Sequence, residues 1–152
     1  MNIALFLQMA AEACSDRRAL THDDKHYSYA ELYAAANQAA QLFAAANVKF
    51  VSLLDVSSPA VPVELMGAAM AGVPYVPLNY RLSEEQLTPL FERISPAYLI
   101  AGEGGPDYDF NDWTVQSTAD FLADALAGKP PEVTWNEAVS YTHLTLPTNR
   151  EV

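Results

Sequence analysis

Two short stretches of the sequence carry side chains that could bind a metal ion or a phosphate group. The first is His22-Asp23-Asp24-Lys25-His26, which has two imidazoles and two carboxylates in five residues. Both groups are common zinc ligands. They would share one side of an extended strand only if no turn intervened, and adjacent aspartates favour a turn. We therefore interpret this stretch as the solvated tip of a β-hairpin.

The second stretch, Gly102-Glu103-Gly104-Gly105, follows a predicted strand and could be drawn as a phosphate-binding loop. Glycines let backbone amides approach a phosphate closely. The stretch lacks the Gly-Lys-Ser/Thr ending of a P-loop, and Glu103 would place a negative charge beside the anion. We interpret it as an ordinary loop.

The remaining candidates are two glutamates and three residues near a predicted strand. Glu84 and Glu85 could form an acid pair, but they open a predicted helix, where carboxylates favour the positive end of the helix dipole. Tyr75, Tyr80 and Arg81 could lie near a ligand, although packing at a strand end and an exposed salt bridge are the simpler interpretation. No residue is therefore predicted to be catalytic, to bind a cofactor or to bind a metal.

Composition limits the partners of the protein. The 152 residues are 51% hydrophobic, with 19 acidic and 8 basic side chains and a net charge of −11. Such a chain should fold, and it should repel nucleic acid and anionic lipid. No apolar run reaches the roughly 20 residues that span a bilayer, and no basic residue precedes Arg17 as in a signal peptide. The lone Cys14 is typical of the cytoplasm, which is the predicted location.

The hydrophobic pattern predicts alternating strands and helices. A helix over Asn2–Ala13 precedes a hairpin of Arg17–Asp23 and Lys25–Tyr29. The pattern then predicts a helix to Ala46 capped by Asn47, a strand over Val48–Val56, a helix over Val63–Ala71 and a strand at Tyr75–Val76. A helix over Ser83–Ile94 follows, and Pro89 should kink it or end it early. The last predicted elements are a strand over Ala97–Ala101, a short strand over Trp113–Val115 and a helix from Ser117 or Thr118 to Ala127. This order predicts an α/β fold with a mostly parallel sheet flanked by helices.

Local signals predict where several of these elements begin and end. Ser28-x-x-Glu31 and Ser83-x-x-Gln86 are capping boxes, which begin a helix. Gly72 can take the left-handed conformation that ends one. Prolines on both sides of Tyr75–Val76 predict that this strand lies at a sheet edge or makes a bend.

Two motifs in the first hundred residues resemble signatures of the adenylate-forming superfamily. The stretch Met70–Leu82, Met-Ala-Gly-Val-Pro-Tyr-Val-Pro-Leu-Asn-Tyr-Arg-Leu, resembles the Ala-Gly-x-x-Tyr-Val-Pro-Leu signature. Upstream, Tyr27–Leu32 resembles the Ser/Thr-Tyr-x-Glu-Leu motif. Two motifs in the expected order are more specific than either one. The resemblance implies the N-terminal part of a larger multi-subdomain enzyme fold.

The resemblance also implies a function. The ending Pro-Leu-Asn-Tyr-Arg-Leu looks like the acyl-CoA synthetase branch, a group of AMP-forming ligases linked to fatty acid metabolism. Such an enzyme uses ATP and Mg²⁺ to convert a carboxylic acid to an acyl-adenylate and then transfers the acyl group to coenzyme A. Two alternatives stay open: an amino-acid adenylation domain and a non-catalytic acidic α/β interaction module. The acid, the acyl chain length and the oligomeric state are not predicted.

The end of the chain departs from the resembled family. A phosphate loop of the type Tyr-Thr-Ser-Gly-Thr-Thr-Gly-x-Pro-Lys should begin just after a linker such as Gly128–Ala138, and it is absent, as are the later ribose-binding acid and C-terminal lysine. Residues 139–152 instead resemble a translated sequencing-library adapter. We therefore expect residues 1–138 to be a partial N-terminal domain and residues 139–152 to be a non-native tail. The fragment should be inactive and bind none of these cofactors.

Overall fold

The computed structural model describes residues 2–102 and 112–128. Helix α1 spans Ala4–Ala13, as predicted. The Asn2 side chain holds its start in place, because Nδ2 donates to the Ala69 carbonyl at 2.9 Å and Oδ1 accepts from the Ala4 amide at 2.9 Å. The first helix is therefore tied to a helix that lies much later in the chain.

The predicted hairpin is confirmed. Strand β1 covers Arg18–His22 and pairs antiparallel with β2, Lys25–Ser28. Asp23 takes a left-handed conformation with φ of 51°. Aspartate tolerates this region better than most residues, which explains why the turn falls at the aspartate pair.

Helix α2 covers Tyr29–Ala46 and both of its predicted ends are confirmed. The Ser28 amide donates to Glu31 Oε2 at 2.7 Å, and the Glu31 amide donates to Ser28 Oγ at 3.2 Å. The hydrogen bonds from the Ser28 backbone and hydroxyl lower the pKa of Glu31, because they favour its charged form. At the other end Asn47 has φ of 51° and terminates the helix.

Four strands form one parallel sheet in the order β4-β3-β5-β6. The strands are β3 (Phe50–Leu54), β4 (Tyr75–Pro77), β5 (Ala97–Ala101) and β6 (Thr114–Ser117). The pairings β3–β4, β3–β5 and β5–β6 are all parallel. The prediction of a mostly parallel α/β fold is therefore confirmed.

Helices cover both faces of the sheet because strand residues alternate between them. On one face α2, α3 (Ala60–Ala71) and α5 (Thr118–Leu126) pack on a core that includes Val51, Leu53, Tyr98 and Ile100. On the other face α4 (Glu84–Arg93) packs Leu87 and Phe91 on Leu54 and Leu99. The two central strands, β3 and β5, are therefore mostly apolar and buried, as expected for a sheet covered on both sides.

Two prolines bound β4, and this strand lies at one edge of the sheet, as predicted. The helix before it ends at Gly72, whose φ of 74° lies in the left-handed region that most residues with a Cβ disfavour. The carbonyl of Pro74 accepts from the Val51 amide at 3.0 Å, and the Leu78 amide donates to Leu53 at 2.8 Å. Backbone groups on both sides of β4 therefore also form hydrogen bonds with β3.

Of the two effects expected of Pro89, an early end and a kink, the early end does not occur. The helix runs on to Arg93. Pro89 is exposed and removes one amide donor, while Leu87 and Phe91 remain buried on the sheet. Tertiary packing therefore outweighs the helix penalty of proline at this position.

Candidate functional site

The carboxyl ends of β3 and β5 form a crevice where the chain connections diverge. From β3 the chain leads through α3 to β4 on one side, and from β5 it leads to β6 on the other side. Open parallel sheets bind ligands outside the strands at such a switch point. Asp55 directly follows β3 and Gly102 directly follows β5, so these residues lie at the point where a ligand site is expected.

Asp55 is held in a fixed position by its neighbours. Its Oδ2 accepts from Thr118 Oγ1 at 2.6 Å, and its Oδ1 accepts from the Val56 amide at 2.6 Å. A Cβ at Gly102 would overlap the Asp55 carboxylate, so only glycine fits there without a shift. The sequence motifs did not indicate this cluster. A polar residue at the carboxyl end of a buried parallel strand was the signal that could have found it.

A cleft of about 540 Å³ opens beside Asp55, between the hairpin tip and the starts of α3 and α5. Its lining includes Asp23, Asp24, Lys25, Asp55 and Thr118. Three carboxylates beside one lysine give the cleft a net negative charge, which disfavours a polyphosphate. The lining of this cleft therefore does not suit the triphosphate of ATP.

The hairpin tip is solvent-exposed, as predicted. The side chains of His22 and Asp23 are 46% and 88% exposed, and His22 Nε2 lies 3.7 Å from Asp23 Oδ2. His26 Nδ1 lies 3.0 Å from Thr21 Oγ1. Within residues 2–102 and 112–128, no group of three or more histidine, cysteine, aspartate or glutamate side chains has the arrangement of a metal site.

Tyr75, Tyr80 and Arg81 do not form a single site. Tyr75 lies half-buried in β4, whereas Tyr80 is 47% exposed beyond the strand. Arg81 Nε donates to the Tyr80 hydroxyl at 3.2 Å, and its guanidinium lies 5.5 Å from the Tyr80 ring centroid. The salt bridge expected for Arg81 does not form with any residue that the structure describes.

The two remaining candidates are the glutamate pair and the glycine-rich stretch. Glu84 and Glu85 lie exposed in the first turn of α4, as expected for acids at a helix start. Of the glycine-rich stretch only Gly102 is described, and residues 103–105 lie outside the described residues. Its interpretation as an ordinary loop stays a prediction.

Glu64 is an ionisable residue that the sequence motifs missed. It lies in α3 with 0% exposure, and neither carboxylate oxygen has a hydrogen-bond partner among the described residues. Burial raises the pKa of Glu64 well above its usual range, and the negative charge of Asp55 adds to this effect. Burial also raises the pKa of Tyr75, and Glu64 contributes. The signal was a lone charge within the apolar helix Ala60–Ala71.

No described helix is long and apolar enough to cross a membrane. A comparison with curated proteins gives no match. The fold and its crevice place this chain among α/β proteins built on an open parallel sheet. Comparison with solved structures identifies a smaller group within that class.

The fold is similar to that of adenylate-forming enzymes. The N-terminal domain of FACL13 from Mycobacterium tuberculosis superposes with a TM-score of 0.74 at 24% identity, covering 91% of this chain and 40% of that one. A fatty acyl CoA synthetase from Mycobacterium tuberculosis gives 0.72 at 24% identity, with coverages of 91% and 30%. NpsA-ThdA, an artificially fused adenylation–PCP di-domain from Klebsiella oxytoca, gives 0.68 at 18% identity, with coverages of 82% and 24%.

This chain spans less than half the length of each of these structures. At such identities the likeness shows the fold, which is that of the N-terminal domain of adenylate-forming enzymes, as predicted. A family profile described as AMP-binding enzyme matches residues 7–147. The chain belongs to the AMP-binding enzyme family.

Proposed function

We propose that this chain is the N-terminal part of an AMP-forming carboxylic acid–CoA ligase. The observation that carries the proposal is the family match over residues 7–147, taken with the Asn79-Tyr80-Arg81 sequence that follows β4. An acidic residue usually follows this strand in the amino-acid-activating enzymes that the chain resembles. The substrate is accordingly a small carboxylic acid, activated as an acyl-adenylate and transferred to coenzyme A.

The cofactors of the proposed ligase are ATP, Mg²⁺ and coenzyme A. The acidic cleft beside Asp55 does not suit a polyphosphate, so we place the nucleotide site outside the described residues. In a complete ligase a lysine-bearing glycine-rich loop offsets phosphate charge through its ammonium and backbone amides. We propose that residues 1–152 lack this loop and are inactive alone, and that the complete enzyme is cytoplasmic.

We further propose that residues 139–152 are a non-native tail and that Gly128–Ala138 is a linker. The adapter-like sequence of the tail supports this, while the family match runs to residue 147 and so overlaps its first part. Sequencing the source DNA across the codons for residues 136–140 tests the proposal directly. A reading frame that continues into a Ser/Thr/Gly-rich loop with a lysine is the expected result.

The activity test uses the uninterrupted reading frame and the 152-residue chain side by side. With ATP, Mg²⁺ and a panel of carboxylic acids, the longer enzyme should catalyse acid-dependent ATP–pyrophosphate exchange and form a thioester when coenzyme A is added. The 152-residue chain should do neither. Exchange that occurs only with amino acids, without thioester formation, would identify an amino-acid adenylation domain instead. A longer enzyme with no exchange would favour a non-catalytic module.

A further inference from the structure

The carboxyl group of Glu64 is enclosed where α3 packs on the parallel sheet. The residue is 0% exposed, and neither carboxyl oxygen has a hydrogen-bond partner among the described residues. A buried polar group without a partner is costly, and the cost is much larger when the group carries a charge. The contact between α3 and the sheet therefore accommodates the protonated carboxyl far better than the carboxylate.

The ionisable groups on the sheet side of Glu64 do not stabilise its charged form. Burial raises the pKa of Glu64, and the negative charge of Asp55 after β3 adds to this effect. Burial also raises the pKa of Tyr75 in β4, and Glu64 contributes. For Tyr98 in β5, burial again raises the pKa, with contributions from Asp124 of α5 and then from Glu64. Each of these neighbours is neutral or negative, so none can pair with a charged Glu64.

The helices around α3 supply no positive charge either. Two tyrosines of α2, Tyr29 and Tyr33, are partly buried against the core. No lysine, arginine or histidine among the described residues lies within 4.0 Å of a Glu64 oxygen. The charged residues of the three helices that contact α3 are all acidic and exposed: Glu12 in α1, Glu31 in α2, and Asp120 and Asp124 in α5.

The second half of α3, residues 65–71, is held firmly by other helices. A Cβ at Gly67 would lie 2.7 Å from the Ala39 Cβ, so the backbones of α3 and α2 are in close contact there. The Ala69 carbonyl accepts from Asn2 Nδ2 at 2.9 Å, which joins this half to the start of α1. These contacts all lie beyond Glu64 in the chain.

The first half of α3, residues 60–64, is held less firmly and forms part of the cleft beside Asp55. Pro59 is the N-cap and makes no side-chain capping bond, and the first turn has no acidic residue to complement the helix dipole. Ser58 and Pro59 line the cleft. Ser58 Oγ accepts from the Ala60 amide at 3.2 Å, and the Ser58 carbonyl accepts from the Val61 amide at 3.1 Å. A movement of residues 60–64 would therefore move this wall of the cleft.

We propose that Glu64 is a pH switch that controls whether residues 60–64 stay packed on the sheet. While the carboxyl is protonated, these residues remain closed and the wall of the cleft is fixed. When the proton is lost, local opening of residues 60–64 exposes the carboxylate to water, while the second half of α3 stays packed on α2. This switch goes beyond the proposed ligase function and does not depend on it.

The direction of the pH dependence follows from the protons bound in each state. In the open state the carboxyl releases its proton near its ordinary pKa of about 4.3, whereas in the closed state the pKa of Glu64 is raised. Between these two values each opening releases one proton, so the opening equilibrium should increase about tenfold per pH unit. Below the lower value and above the higher one, both states bind equal numbers of protons and the pH dependence ends.

Amide hydrogen exchange of the 152-residue chain, followed by NMR and corrected for intrinsic exchange rates, tests the proposal. The amides of Val61 and Val63 donate to carbonyls at the wall of the cleft and report its opening. The Val73 amide donates to the Ala68 carbonyl at 2.9 Å and is the reference at the end of α3. From pH 5 toward pH 7, protection of Val61 and Val63 should fall about tenfold per pH unit. Val73 should stay at least about tenfold better protected at each pH.

Three variants assign the effect to Glu64. Glu64→Gln keeps the size of the side chain and removes its titration, so protection of Val61 and Val63 should no longer depend on pH. Glu64→Leu is a second neutral variant without a buried polar group, and it should give the same result if Glu64→Gln fails to fold. Glu92→Gln replaces an exposed glutamate of α4 and should keep the pH dependence of the wild type.

Two outcomes would overturn the proposal. Equal protection of Val61 and Val73 at every pH would mean that residues 60–64 open only when the whole chain unfolds. A pH dependence that persists in the neutral variants at Glu64 would mean that another group is responsible. Neither readout depends on ligase activity, so failure of this proposal is distinguishable from failure of the proposed function.

Discussion

Glu64 is the most unusual residue of the described structure. A buried carboxyl without a hydrogen-bond partner avoids the cost of an isolated charge by remaining protonated. Its folded-state pKa is raised above the unfolded-state pKa of about 4.3, so the native chain holds a proton that the unfolded chain has released. The stabilising contribution of this bound proton to the free energy of unfolding is complete below the unfolded-state pKa. It is lost as the pH rises toward the folded-state pKa.

We predict that Glu64→Leu stabilises the chain at pH 8. Removing an unpaired buried carboxyl should raise the free energy of unfolding by about 1–3 kcal/mol, and the gain should shrink toward pH 4. Urea titrations between pH 4 and pH 8 measure both effects. Glu92→Leu, at an exposed position in α4, is the matched control and should show no such pH dependence. Parallel pH profiles for the wild type and Glu64→Leu would contradict the assignment.

At the scale of elements, the closest contact is that between α2 and α3. A Cβ at Gly67 would lie 2.7 Å from the Ala39 Cβ and 3.0 Å from the Ala36 carbonyl oxygen. The alanine-rich face of α2 and the glycine in α3 are therefore needed together, since larger side chains would separate the two helices. This contact positions α3 and its buried Glu64 against the sheet.

Gly67→Ala is predicted to destabilise the chain although alanine is the better helix former. With a Cβ only 2.7 Å from Ala39 Cβ, overpacking should cost about 2–3 kcal/mol, which exceeds the gain of about 1 kcal/mol from helix propensity. Chemical denaturation of Gly67→Ala, Ala39→Gly and the double variant measures the coupling. The double variant should recover part of the loss, because Ala39→Gly removes the overlapping methyl group. Additive effects would show that the two positions do not meet.

At the scale of the whole molecule, repulsion between negative charges opposes folding. The net charge is −11, and among the described residues no lysine or arginine lies within 4.0 Å of a carboxylate. The excess of carboxylates should therefore produce a net repulsion that destabilises the folded state at neutral pH. Dissolved salt should weaken this repulsion, since the Debye length falls as ionic strength rises.

Raising NaCl from 0.05 M to 0.5 M at pH 7 should therefore raise the Tm. A gain of about 1 kcal/mol corresponds to about 2–4 °C for a chain of this size. Thermal scans by circular dichroism provide the measurement. The same salt step near the sequence pI of about 4.4 is the control and should have little effect, because the net charge is then close to zero. An equal shift at both pH values would indicate a general salt effect.

Local signals in the sequence were sufficient for the elements and for the fold class. The capping box of Ser28 with Glu31, the left-handed Gly72 and the prolines around β4 act within a few residues of chain, so their structural effects follow from residue type and spacing. Alternation of apolar strands and helices was likewise sufficient to predict a parallel sheet, and two ordered motifs indicated the family. At Pro89 the early helix end that the residue type allowed does not occur, because packing on the sheet outweighs an intrinsic preference.

The crevice and the buried carboxyl, in contrast, depend on residues that are distant in the chain. The hydrogen bond from Thr118 to Asp55 joins positions 63 residues apart, and no local pattern predicts such a pair. Glu64 is buried because of the helix and strands that surround it, and its pKa follows from that burial. Propensity and spacing act along the chain, whereas burial, charge proximity and strand order arise only when separate segments pack together.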